Sequence, residues 1–130
     1  ALHVVDFAQA PEDLDGPEAA TDGALVIDRG RALVRLPDGR VVRFARRRTL
    51  WLLLLALADR RGARPGEAVT QEELRASAWP GERMSAAVAR NRLHVSLSTL
   101  RSLGLRDLLL GRGDGYALDP DVALRMIDAT

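Results

Sequence analysis

Nine consecutive apolar residues, Leu50 to Ala58, directly follow Arg46-Arg47-Arg48. The run is less than half of the about 20 apolar residues that cross a bilayer. It lies mid-chain, where a basic cluster before an apolar run does not act as a secretory leader. A helix this apolar on several faces has to be covered on more than one side. Other elements of the chain therefore have to pack around it. A length of 130 residues, 47% hydrophobic and 28% charged, suits one soluble domain with a real core. A cytoplasmic location with no membrane partner is expected. The chain starts at Ala1, so it has lost an initiator Met or is a piece of a longer protein.

Cysteine is absent, which excludes disulfide and thiolate chemistry. The two histidines, His3 and His94, are too few for a His-rich metal site. No cofactor and no metal are expected. The net charge is +1, but it is unevenly spread. Residues 1–28 carry seven acids and no Arg, residues 29–64 eleven Arg and two acids, and residues 65–130 eight Arg and nine acids. All basic residues are Arg, whose planar fork suits phosphate and guanine. An acidic start beside a basic middle suggests an acidic tail beside a polyanion-binding or tail-binding surface.

Residues 1–22 read as an acidic tail or linker, with Pro, Gly and acids concentrated between Gln9 and Gly23. Three strands are expected over Ala24–Asp28, Ala32–Leu36 and Arg40–Phe44. Arg29-Gly30 and Pro37-Asp38-Gly39 are the turns of this antiparallel meander. A first helix follows, with Gly62 as its C-terminal cap and Pro65 beyond. Thr70-Gln71-Glu72-Glu73 has the form of a capping box, opening a helix stopped by Pro80-Gly81. A third helix is expected from Ser85 to Leu103, ending at Gly104. At 100° per residue, Ala86, Ala89, Leu93, Leu97 and Leu100 form its core face. Asn91, Val95, Ser98 and Ser102 face outward, with Val88 and Thr99 at the edge. Leu108-Leu109-Leu110 and Tyr116-Ala117-Leu118 flank Gly111 to Gly115 as a β-hairpin. Asp119-Pro120 then opens a short C-terminal helix within residues 120–130.

The segment Leu93-His94-Val95-Ser96-Leu97-Ser98-Thr99-Leu100-Arg101, followed by Arg112-Gly113-Asp114-Gly115-Tyr116, resembles the OmpR/PhoB-type output domain of bacterial response regulators. Glu72-Glu73-Leu74 to Trp79 resembles that family's second helix. The likeness covers about residues 24–119, and its specific parts are the Leu-Arg pair and the Arg-Gly-x-Gly-Tyr hairpin. It implies an α+β winged helix-turn-helix fold over residues 23–119: an N-terminal antiparallel sheet, a three-helix core and a C-terminal β-hairpin wing. Gly115-Tyr116-Ala117-Leu118-Asp119-Pro120 is similar to regulators in which such a domain continues into a helical one. The implied function is DNA binding in transcription regulation. Helix 85–103 would enter the major groove and the wing would reach the backbone or minor groove. Arg101 and Arg112 match the family's helix and wing arginines. Asn91 and Ser98 would meet base edges or phosphates, and Val95 a thymine methyl. Arg92, His94, Thr99 and Tyr116 complete the expected surface, and Thr70 would offer backbone N–H groups to phosphate. Trp79 either offers its indole N–H to phosphate or, the favoured reading, lies in the core. Double-stranded DNA is the expected partner, with RNA polymerase or another regulatory protein and a homodimer on DNA as further candidates.

This chain has Asn91, Ser96, Ser98 and Thr99 where the family often has basic residues. The alternative is therefore a winged-helix protein–protein interaction module with weak or no DNA binding. Catalysis is not expected. Glu82, Ser85 and His94 lack triad logic, and Gly111 to Gly115 lacks the Gly-Lys-Ser/Thr of a phosphate loop.

Overall fold

In the computed structural model, residues 23–127 are described; the acidic segment 1–22 lies outside them. The structure is α+β. The chain divides into two units, Ala1–Arg46 with Val122–Thr130, and Arg47–Asp121. This boundary falls inside the span 23–119 expected to be one domain.

In the first unit, strands β1 (Leu25–Asp28), β2 (Leu33–Arg35) and β3 (Val41–Arg43) form the expected antiparallel meander. Asp28 holds the first turn by accepting the Arg31 N–H at 3.0 Å, and the Phe44 N–H donates to the Ala32 carbonyl at 2.7 Å. Ala32 adopts φ +51 between them. Asp38 accepts the Arg40 N–H at 3.0 Å and the Arg40 Nε–H at 2.7 Å in the second turn. Those bonds, the backbone one first, hold the exposed Asp38 carboxyl below its ordinary pKa. Val26, Ala24 and Ile127 form a buried apolar cluster.

The expected C-terminal helix is corrected: Leu124–Ile127 is a strand, β7, which joins β1 in parallel. The sheet order is β3-β2-β1-β7. Ala, Leu, Arg and Met are good helix formers, but propensity is overridden by tertiary context, and the open edge of the buried strand β1 offers a full row of backbone partners. The Leu25 N–H donates to Ala123 and the Arg29 N–H to Ile127, both at 2.8 Å. The helix-start signal at Asp119 instead makes a turn, accepting the Asp121 N–H at 2.9 Å.

The second unit begins with helix α1 (Arg48–Ala63). Leu53, Leu54, Leu57 and Ala58 are buried, and α1 packs against the helices Gln71–Ala78 and Ala86–Leu100 and the strand Gly115–Leu118, as its apolar run requires. Each fully buried leucine stabilises the unit by about 1.5–3 kcal/mol. Gly62 is not the cap: the helix passes through it and ends at Arg64, whose N–H donates to Arg60 at 2.7 Å. Arg60 reaches forward to the next elements, bonding Glu67 at 3.0 Å, the Ala68 carbonyl at 2.8 Å and Glu73 at 2.6 Å.

Strand β4 (Val69–Thr70) leads directly into α2 (Gln71–Ala78). The expected capping box is present. The Glu73 N–H donates to Thr70 Oγ1 at 3.1 Å, and the Thr70 N–H donates to Glu73 Oε1 at 2.9 Å. Trp79 ends α2 and is buried. Helix α3 (Ala86–Leu100) is capped by Ser85, whose hydroxyl accepts the Val88 N–H at 3.2 Å. Ala89, Leu93, Leu97 and Leu100 are buried as expected, but Ala86, in the first turn, is exposed. A π-helical turn, Arg101–Leu105, follows and contains Gly104 at φ +129. Strands β5 (Leu109–Arg112) and β6 (Gly115–Leu118) form the hairpin, and the second sheet runs β4-β6-β5.

Candidate functional site

The outer face of α3 is open. Val88 and Val95 are 45% and 58% exposed, uncommon values for apolar side chains on a helix that packs its other face. Asn91, His94 and Ser98 are exposed beside them. Thr99 is half-buried and turns its hydroxyl back to the Val95 carbonyl at 3.0 Å. The expected outward residues Asn91, Val95 and Ser98 are thus exposed together with Val88, and Ser102, also exposed, lies in the π-helical turn that follows.

The hairpin tip stands next to this helix. A cleft of about 570 Å³ runs between the start of α2, the α2–α3 loop, α3 and the tip, lined by Gln71, Arg75, Arg83, Arg90, Leu93 and Asp114 among others. Arg112 pairs in register with Gly115 at the end of the hairpin and is exposed. The register depends on Gly115. A Cβ there would lie 2.0 Å from the Val69 carbonyl oxygen, so only glycine lets β4 pair closely with β6.

Besides Thr99, four of the expected contact residues have structural partners. Arg101 is half-buried; its guanidinium lies 5.8 Å from the Tyr116 ring centroid and donates to the Leu109 carbonyl at 3.4 Å. It therefore ties the end of α3 to the hairpin, and it takes Tyr116 with it. Arg92 pairs with Glu82 at 3.2 Å and lies 5.9 Å from the Trp79 ring centroid. Thr70 is occupied by its capping box, and Glu72 and Glu73 put two carboxylates on the same helix start. Those carboxylates compete with any phosphate there.

The sequence reading missed the ion pairs that join these elements. Arg60 bridges Glu67 and Glu73, and Arg75 pairs with Glu72. Hydrogen bonds from the Thr70 backbone and from Arg60 hold Glu73 below the ordinary glutamate range, and Arg75 does the same for Glu72. The signal for Arg75 was the three-residue spacing from Glu72 on a helix. Nothing local marked Arg60, whose partners lie past the end of its own helix.

Arg43, Arg46, Arg47 and Arg48 are all exposed. The last two stand at the start of α1, which has no acidic residue in its first turn and no side-chain cap. Cations there oppose the helix dipole. Among the described residues no group of three His, Cys, Asp or Glu side chains could hold a metal ion. No described helix is long and apolar enough to cross a membrane.

Comparison with known proteins finds no matching family model, no matching curated protein and no matching solved structure.

Proposed function

We propose that residues 47–121 are a winged helix-turn-helix that binds double-stranded DNA, in a bacterial, cytoplasmic transcription regulator of the OmpR/PhoB output type. In this reading α2 and α3 are the helix-turn-helix, and the β5–β6 hairpin is the wing. The protein is not an enzyme. The observation that carries the reading is the open face of α3 beside a hairpin tip bearing an exposed arginine, Arg112. A helix about 10–12 Å across fits the major groove, which is about 12 Å wide. Arg112 then meets phosphate or the adjacent minor groove. Two copies on DNA, or a second regulatory protein such as RNA polymerase, are compatible with this arrangement.

The exposure of Val88 and Val95 also favours a second reading, a winged-helix module whose α3 face binds a protein. In that case Val88→Asp or Val95→Asp abolishes a protein complex, and DNA retention is weak even at low salt. The deciding experiment is retention of pooled genomic DNA fragments by the 130-residue chain at low salt, followed by sequencing. Enrichment of a shared site supports the regulator; no retention supports the protein-binding module.

A further inference from the structure

The side chains that reach outward from α3 have a definite chemistry. At 100° per residue, Val88, Asn91 and Val95 lie within roughly 60° of one another on the helix surface. All three are exposed. Two arginines of this helix region are engaged by neighbouring groups, and a third lines the cleft. Arg92 is engaged by Glu82 and lies by Trp79, Arg101 is engaged by Leu109 and Tyr116, and Arg90 lines the cleft beside Leu93. The arc thus has no fork to take the O6 and N7 of guanine, the usual arginine contact. It has one amide, which matches the N6 and N7 of adenine, between two branched apolar groups, which match thymine methyls.

Spacing adds a second constraint. Val88 and Val95 are about 10 Å apart along the helix axis at 1.5 Å per residue. That is about three base pairs at 3.4 Å each. We propose, on the basis of the DNA-binding reading above, that α3 recognises an A·T-rich core: Asn91 holds an adenine, and Val88 and Val95 cover thymine methyls about three base pairs apart on either side of it. Phosphate attraction comes from arginines off this arc, Arg112 first among them.

The test is selection of the preferred site from a random duplex library by the full chain, followed by replacement of single thymines by uracil, which removes only the methyl group. The expected site has an adenine between two thymines. Each uracil weakens wild-type binding about fourfold, the value of one buried methyl group. Val95→Ala removes the sensitivity at one thymine, Val88→Ala at the other, and Asn91→Ala lowers the adenine preference about tenfold. Each side chain is exposed, so folding is preserved. A site with guanine at its centre, or a site indifferent to uracil, overturns this proposal while leaving DNA binding in place. Failure of every library duplex to bind at low salt overturns both.

Discussion

Arg101 lies with its guanidinium 5.8 Å from the centre of the Tyr116 ring, and so joins the end of α3 to the hairpin rather than facing outward. Arg112, at the hairpin end, is exposed. The two arginines of the family-like motif therefore have different tasks. Arg101→Ala is expected to lower unfolding stability by about 1 kcal/mol, the scale of one partly exposed cation–π contact and a long hydrogen bond. Arg112→Ala is expected to leave stability within about 0.5 kcal/mol of wild type and to weaken DNA binding. Denaturant melts and binding isotherms of the two variants separate these outcomes. Equal loss of affinity with no loss of stability for Arg101→Ala would contradict the assignment.

Gly115 cannot accept a side chain without displacing the β4 backbone, whereas Gly111 can, since its nearest neighbour would be the Tyr116 ring at 3.9 Å. Gly115→Ala should destabilise the helical unit by about 3 kcal/mol, at the upper end for overpacking. Gly111→Ala should be close to neutral. Chemical denaturation of both variants checks the contrast, and a tolerated Gly115→Ala would refute the observed strand pairing.

Ala32 holds φ +51 in the turn between β1 and β2. A left-handed conformation costs a Cβ-bearing residue about 1 kcal/mol; glycine avoids that cost but loses part of the gain to its more flexible unfolded chain. Ala32→Gly should raise stability by roughly 0.5 kcal/mol. Ala32→Val should lower it, because a β-branched residue fits this region worst. Thermal melts of the two variants should move in opposite directions.

Acid should loosen the α1–α2 junction. The Glu73 carboxyl is held below its ordinary value near 4.5 by the Thr70 backbone and Arg60. A depressed folded pKa contributes stability that is complete above the unfolded value and disappears as pH falls through the folded one. Unfolding followed from pH 6 downward should therefore show a loss beginning near pH 4.5, and Glu73→Gln should reduce that loss. Thr70→Ala, which removes the cap hydroxyl, should cost about 1 kcal/mol at neutral pH. An identical acid profile for Glu73→Gln would exclude the junction as its source.

Local chemistry carried the parts of the fold that were legible in the sequence. Thr70 and Glu73 are three residues apart, and Pro37-Asp38-Gly39 turns on itself, so neither needs distant chain. The core face of α3 follows from helical period, failing at Ala86, where the helix end leaves its face open. The strand β7 was not legible because its partner is β1, with Leu124 opposite Leu25 across about three quarters of the chain. The same holds for Arg101. Its spacing marks it as a motif residue, but only the register of β5 against β6 brings Leu109 and Tyr116 beneath it. Exposure of Val88 and Val95 was legible, and their role depends on what covers them.

The salt dependence of DNA binding decides whether α3 and the hairpin act on DNA. The full chain, titrated onto its selected duplex at increasing salt, should show log affinity falling linearly with log salt, and Arg112→Ala should reduce the slope by about 1. Binding that does not vary with salt, or a slope unchanged by Arg112→Ala, would contradict a DNA-reading helix supported by an arginine-bearing wing.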